Sequence, residues 1–257
     1  NIPQVYSGVY TGSLNNDTLS VSVSTLGYGF NLLSNPYASL FDLDAFFEEN
    51  THLDASAYVY INANGFNEVS GEYTGNNYAV YNKTGVVSAD NSSIIPTSIL
   101  NTARGFVVKA TANNDVLFTN SMRLSKNIDS SFVVNTPTSI DRYWLELKRL
   151  DASFSSQMLI GYVEGATNGI DRLYDAIPLP QNTMSITSVL QGESYAIQGR
   201  ISPFLDDDIV NLRVVIKQPG EYSIGVENAE GIFIEEQDVY LKDNQLGMLT
   251  KISREPY

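Results

Sequence analysis

From Leu19 to Ser24 apolar and polar residues alternate without a break: Leu19, Val21 and Val23 against Ser20, Ser22 and Ser24. A period of two places one kind of side chain on each face of an extended chain, so the run predicts a half-buried strand. The pattern recurs. Tyr143, Leu145 and Leu147 alternate with Trp144, Glu146 and Lys148, and Val210, Leu212, Val214 and Ile216 with Asn211, Arg213 and Val215. Tyr222, Ile224 and Val226 alternate with Ser223, Gly225 and Glu227. Turn chemistry separates such runs, as at Asn15-Asn16-Asp17, Asn35-Pro36, Asn62 to Gly65 and Gln218-Pro219-Gly220. Proline presets φ there and glycine accepts a positive one. These features predict an all-β chain.

Further strands are expected at Tyr28 to Leu33, Ala57 to Ile61, Tyr78 to Tyr81, Gly105 to Ala110, Val116 to Thr119 and Met158 to Val163. Val239 to Lys242, followed by Asp243-Asn244, reads as a last strand and a hairpin turn. Phe41 to Glu49 is the best helix candidate in the first half, one or two turns long. From Ser125 to Ser139 the chain is polar and aperiodic. The expected architecture is two antiparallel β-sandwich domains in tandem, jelly-roll or Ig-like, at 1–126 and 139–257, with a linker at 127–138.

Composition narrows the function classes. The chain has no Cys, which excludes disulfide scaffolds, zinc-thiolate sites and thiol catalysis. With 15 basic against 29 acidic side chains the net charge is −14, so phosphate backbones repel it and nucleic acid is not an expected partner. No stretch approaches ~18 uncharged apolar residues, and membrane insertion through a helix is not expected. Asn1 opens without a basic, then apolar, leader. The chain reads as a mature chain or an internal fragment.

Candidate chemistry is sparse. His52, the single histidine, lies in the polar run Asn50 to Asp54 without a GxSxG nucleophile elbow, so it reads as a surface loop residue. The carboxylate groups Asp42 and Asp44, Asp206 to Asp208, and Glu235, Glu236 and Asp238 could serve a glycosidase only if two faced each other across a cleft. Sequence neighbours in strands point to opposite faces, so turns and caps are the simpler use. No catalytic residue is assigned and no enzymatic activity is expected. Calcium is the one cofactor these acids suggest. The oxygen-rich segment Glu164 to Asp175 offers Asp171 and Asp175, against the alternative that both accept backbone N–H bonds and shape the loop. Tyr58, Tyr60, Tyr73, Tyr78 and Tyr81 form either a platform for surface glycans or ordinary sheet packing. Sequons stand at Asn16, Asn82 and Asn91.

Several segments, in order, resemble the C-terminal regions of Bacteroidetes proteins exported by the type IX secretion system. Gly29 to Tyr37 (GFNLLSNPY) is similar to G-W-N-L-I-G-N-P-Y, and Ser39 to Phe46 to the S-x-I-D-W-D stretch that follows. Ala57 to Ile61 resembles a V-Y-V-Y strand. Ile94-Ile95-Pro96 with Gly105 to Ala110 resembles I-I-P…G-Q-G-F-F-V-K-A, closed by Leu117 to Asn120. Trp144 to Leu147 resembles R-L-x-L, Glu164 to Ala176 the loop E-A-T-D-G-F-D-x-x-Y-D-A, and Val239 to Asp243 V-Y-L-E-D. Phe30 stands for the usual Trp, Ser34 for Gly, Arg104 for Gln and Asn168 for the loop's first Asp, which removes a charge from the calcium candidate.

The resemblance implies an extracellular or cell-surface region of an adhesin or gliding-associated protein, ahead of a C-terminal sorting domain. It implies transit through the outer-membrane translocon with its shuttle protein. A final strand would follow Tyr257, so the second sandwich is expected to lack its last strand. Asp17-Thr18-Leu19 fits the Asp-Thr-apolar glycosylation pattern of such organisms, which makes Thr18 a candidate acceptor. The alternatives are a carbohydrate-binding module and the accessory C-terminal part of a secreted hydrolase.

Overall fold

Strands dominate because β-branched and aromatic residues fill short runs between Asn, Gly and Pro turns. A computed structural model describes residues 11–125 and 140–257 apart from 70, 74, 91, 152–153 and 180–183. The expected linker at 127–138 and Asn91 lie outside the described residues.

The first half contains β1 (Leu19–Ser22), β2 (Phe30–Ser34), β3 (Leu40–Asp42), helix α1 (Leu43–Glu49), β4 (Leu53–Tyr60), β5 (Phe66–Asn67) and β6 (Glu72–Tyr73). It continues with β7 (Tyr78–Asn82), β8 (Gly85–Val87), β9 (Ile99–Leu100), β10 (Gly105–Ala110), β11 (Asp115–Phe118) and β12 (Arg123–Leu124). The second half contains β13 (Asp141–Arg149), β14 (Ser155–Val163), β15 (Met184–Leu190), β16 (Glu193–Tyr195) and β17 (Ile197–Ile201). Next come β18 (Leu212–Ile216), β19 (Tyr222–Glu230), β20 (Tyr240–Asp243) and β21 (Met248–Lys251).

The chain is all-β, with several antiparallel sheets. The largest runs β2-β10-β4-β7-β8, and a four-stranded sheet runs β17-β14-β13-β19. Three-stranded sheets run β12-β3-β9 and β16-β15-β18, and β1 pairs with β11. The second half departs from the antiparallel expectation at one ladder. β17 lies parallel to β14, with Leu159 opposite Ile197 and Val163 opposite Ile201, because β15 and β16 intervene as a crossover. Val239 to Lys242 is not the last strand either, since β21 pairs back onto β20.

Two local expectations shift. The helix begins at Leu43, because Phe41 is held in a ladder opposite Arg123 and Leu100. Asp42 then caps it, Oδ1 accepting the N–H groups of Asp44 and Ala45 at 2.9 and 3.3 Å. On β1, Val21 is exposed although its partner Val116 is fully buried: Val116 belongs to the apolar core and Val21 does not.

Three hydrophobic clusters stack through the molecule. The first is centred on Phe41, Phe46, Phe106 and Phe118, with the Phe46 ring 5.1 Å from Phe118 and 5.6 Å from Phe106. It takes Leu53, Ala55, Ala57 and Val59 from β4. The second takes Tyr143, Leu145 and Leu147 from β13 and Met158, Ile160 and Tyr162 from β14. The third joins the halves: Tyr58, Val80 and Val87 meet Trp144, Leu159, Ala176 and Ile197. On β4, β7, β13 and β14 its residues lie on the face opposite that strand's share of the first or second cluster. β4 and β14 are therefore covered on both sides, so Ala57 to Ile61 and Met158 to Tyr162 read as unbroken apolar runs.

Trp144 is the largest side chain of that middle cluster. Its Nε1–H donates to Val86 O at 2.7 Å, and the Arg142 guanidinium lies 5.1 Å from its ring centre. Trp144→Ala should cost about 3–5 kcal/mol, read from urea unfolding of the whole chain. A loss under ~1 kcal/mol would mean that the contact between the halves contributes little to stability.

Candidate functional site

The junction between the halves concentrates the polar chemistry. Residues 164–177, the segment holding both calcium candidates, run from β14 across the first half. Arg172 donates through Nη1 to Leu53 O and through Nη2 to Phe47 O, each at 3.1 Å. Its own carbonyl accepts from Ala55 N, and Leu173 O accepts from Lys83 N, each at 3.3 Å. Thr84 Oγ1 donates to Tyr174 O at 2.7 Å, and Tyr58 OH to Ile177 O at 2.7 Å. Leu173 adds its side chain to the first cluster.

Glycine permits the close approach. A Cβ on Gly161 would meet Thr84 Cγ2 at 2.6 Å, and one on Gly85 would meet Leu159 Cδ2 at 2.8 Å.

Asp171 and Asp175 shape this loop. Asp171 Oδ2 accepts from Thr167 N at 2.6 Å and Thr167 Oγ1 at 2.9 Å. Asp175 Oδ2 accepts from Asp171 N at 2.6 Å, and its Oδ1 from Gly199 N at 2.9 Å. Burial pushes the Asp175 carboxyl up to about 6, against the opposing pull of those two N–H groups. Among the described residues no group of three or more His, Cys, Asp or Glu is placed to hold a metal ion.

Beside the junction opens a cleft of about 940 Å³, of the size that takes small ligands. The first half contributes Asp44, Lys83 and Asp90. The second contributes Arg142, Trp144, Glu146, Glu227 and Glu230. Arg142 pairs with Glu230 at 2.8 Å and donates to Thr84 O at 2.9 Å. Gln157 bridges the halves, taking Ser88 N at 3.3 Å and donating to Glu227 Oε2 at 2.5 Å. Burial pushes Asp90 up to about 7. The Asn76 N–H opposes that rise, and the Glu146 and Glu227 charges add to it. Glu146 is raised as well, by burial and then by Glu227. The cleft thus holds a carboxyl that exchanges its proton near neutrality. Sequence reasoning missed it, because Asp90, Glu146 and Glu227 come from distant segments with no shared motif.

The other acids have structural partners. Asp44 accepts from Tyr81 OH at 3.0 Å, Asp208 pairs with Arg200 and accepts from Tyr162 OH at 2.9 Å, and Asp238 pairs with Lys251 at 2.7 Å. Asp206, Asp207, Glu235 and Glu236 are exposed.

His52 is half-buried rather than a free surface residue, with its Nε2 buried and without a hydrogen-bond partner. Its backbone carbonyl takes the Thr111 N–H and hydroxyl, each at 2.9 Å, which fixes the loop.

The tyrosines separate. Tyr58 and Tyr81 are buried, whereas Tyr60 and Tyr73 are exposed. Tyr60 packs edge-on against Tyr78 at 5.3 Å, and Phe66 against Tyr73 at 5.3 Å. Thr18 is exposed just before β1, as is Asn16. Asn82 is buried, with its Oδ1 accepting from Thr84 N and Gly85 N, so the folded chain cannot carry a glycan there.

Fold and junction together define an all-β protein whose two halves share a core. The chain belongs to a family described as a domain of unknown function (DUF8693), which matches residues 1–257. No match was found among curated proteins or among solved structures.

The raised carboxyls set the pH dependence. Their folded-state pKa exceeds the unfolded value, so the folded chain holds more protons between about pH 4 and about pH 7, and stability falls as pH rises through that window. Thermal unfolding at pH 5 should therefore occur at a higher temperature than at pH 7.5. Asp90→Asn keeps an oxygen for the Asn76 N–H and should flatten the dependence between about pH 5 and about pH 7. An unchanged slope would exclude Asp90 as the titrating group.

Proposed function

We propose that this chain is a non-enzymatic module of a type IX secretion cargo, serving as the stalk or presenting segment of a surface adhesin or gliding-associated protein. The ordered motif series from Gly29 to Asp243 supports the secretion route. The mechanical part rests on one observation, the docking of residues 164–177 onto the first half, where Arg172 donates to Leu53 O and Phe47 O and Tyr58 OH donates back to Ile177 O across the junction. A presenting segment must hold what it carries at a fixed distance and angle. A shared apolar core closed by satisfied backbone groups opposes relative motion of the halves. On this reading the folded chain meets the translocon and its shuttle protein in transit and then stands outside the cell.

The test is an epitope-tagged full-length protein in a type IX-competent host. Protease added to intact cells should remove the epitope, a translocon-null strain should retain it in the periplasm, and a release-blocked strain should yield it bound to the translocon. Retention in the cytoplasm of all three strains would overturn the reading.

The exposed aromatic group favours a second reading, a carbohydrate-binding module. Tyr60 and Tyr73 present ring area to solvent beside Asn62 and Arg104, whose Nη2 donates to Tyr60 O at 2.7 Å. The C–H face of a pyranose stacks on such rings while its hydroxyls take the amide and the cation. A glycan array probed with the whole chain should show hits that Tyr60→Ala weakens about tenfold, the scale of one lost aromatic contact. Silence across the array from the folded chain would remove this reading.

A further inference from the structure

The outer edge of β18 is unprotected in every respect that keeps strand edges inert. β18 pairs with β15 on one side only, with Val214 opposite Ile186 and Ile216 opposite Met184. Val189 N donates to Asn211 O at 2.7 Å, which makes 189 and 211 a hydrogen-bonded pair of the antiparallel ladder. By alternation, residues 211, 213 and 215 direct their N–H and C=O groups to β15, whereas Leu212, Val214 and Ile216 direct theirs away. Among the described residues nothing bonds to that outer row.

The side chains repeat the gap. Ile186 and Met184 lie in the second core at 1% and 5% exposure, while Val214 and Ile216 beside them are 40% and 43% exposed. The core-facing side of the sheet therefore continues past its own last strand.

Natural edges are guarded by charge, proline or a bulge. Arg213 is the one charge within β18, and it folds back across β15, donating to Ser194 Oγ at 2.7 Å and Gly192 O at 3.2 Å. Pro219 follows the strand. No acid occurs from 209 to 220, and Lys217, just past Ile216, gives this edge a positive charge on a chain of net charge −14.

We propose that β18 is a docking edge for an extended segment of a separate polypeptide, apolar at alternate positions and flanked by carboxylates. The segment would add a fourth strand beside β18. Its N–H and C=O groups would pair with those of Leu212, Val214 and Ile216, its apolar face would cover Val214 and Ile216, and its carboxylates would meet Lys217. Charge argues against a second copy as the occupant, since each copy carries −14.

The probe is a capped synthetic peptide, Glu-Val-Thr-Val-Thr-Val-Glu, titrated into the whole chain and followed by amide hydrogen exchange with NMR. The amides of Leu212, Val214 and Ile216 should slow at least about tenfold on saturation, while Arg213 and Val215, already bonded to β15, change little. Val214→Pro removes one outward N–H and no bond to β15, so the fold should persist while affinity drops about tenfold or more. Val214→Lys, which sets a charge on the core-facing row, gives the same loss if the proline variant fails to fold. The peptide with Lys in place of both Glu should bind more weakly. Three outcomes would overturn the proposal: no protection of the outward amides at millimolar peptide, equal binding of the lysine peptide, or a dimer in light scattering that Val214→Pro dissolves, which would make a second copy the occupant.

Discussion

Burial of both faces of the two central sheets is the constraint on which the molecule depends. A sheet needs one covered face to be stable, and the other is ordinarily left to water. Here the second faces of β4, β7 and β8 meet those of β13, β14 and β17 through Tyr58, Val80, Trp144, Leu159 and Ile197. The halves must sit close for these side chains to touch, which is why glycine at 85 and 161 matters. Polar groups in such a place must be satisfied or they cost stability. The indole N–H of Trp144, the Arg142 guanidinium and the Tyr58 hydroxyl all find carbonyls across the boundary.

The 164–177 loop shows the same economy in polar form. It has no ladder of its own along most of its length, so its carbonyls at 172, 173, 174 and 177 are taken by donors of the first half. Asp171 and Asp175 take the loop's own N–H groups at Thr167 and Asp171, and Asp175 also takes Gly199 N of β17. A segment whose acids read in the sequence as candidate ion ligands thereby acts as a clasp. Its most buried acid titrates high because desolvation outweighs the hydrogen bonds it accepts.

Much of the fold was legible in the sequence wherever period two is sustained. β13 and β19 fall where the alternation of Tyr143 to Lys148 and Tyr222 to Glu227 places them. β3, β5, β6, β9 and β12, of two or three residues, were not legible, because their existence depends on partners far along the chain. β15 to β17 escaped because Thr187, Ser188 and Gln198 occupy buried positions and break the apolar pattern. The candidate site was less visible still. Composition marks the tyrosines as a group but does not separate Tyr58, inside, from Tyr60, outside. Nothing local marks Asp90, whose raised pKa comes from burial and from charges on β13 and β19.

The shared middle cluster also bears on inheritance. A sandwich with a polar outer face can be moved by recombination from one protein to another, because it leaves nothing sticky behind. The first half of this chain, moved alone, would present Tyr58, Val80 and Val87 to solvent, and the second would present Trp144, Leu159 and Ile197. Either fragment would arrive with an adhesive face. The two halves are therefore a single unit of exchange, and where one is found in a genome the other is expected beside it.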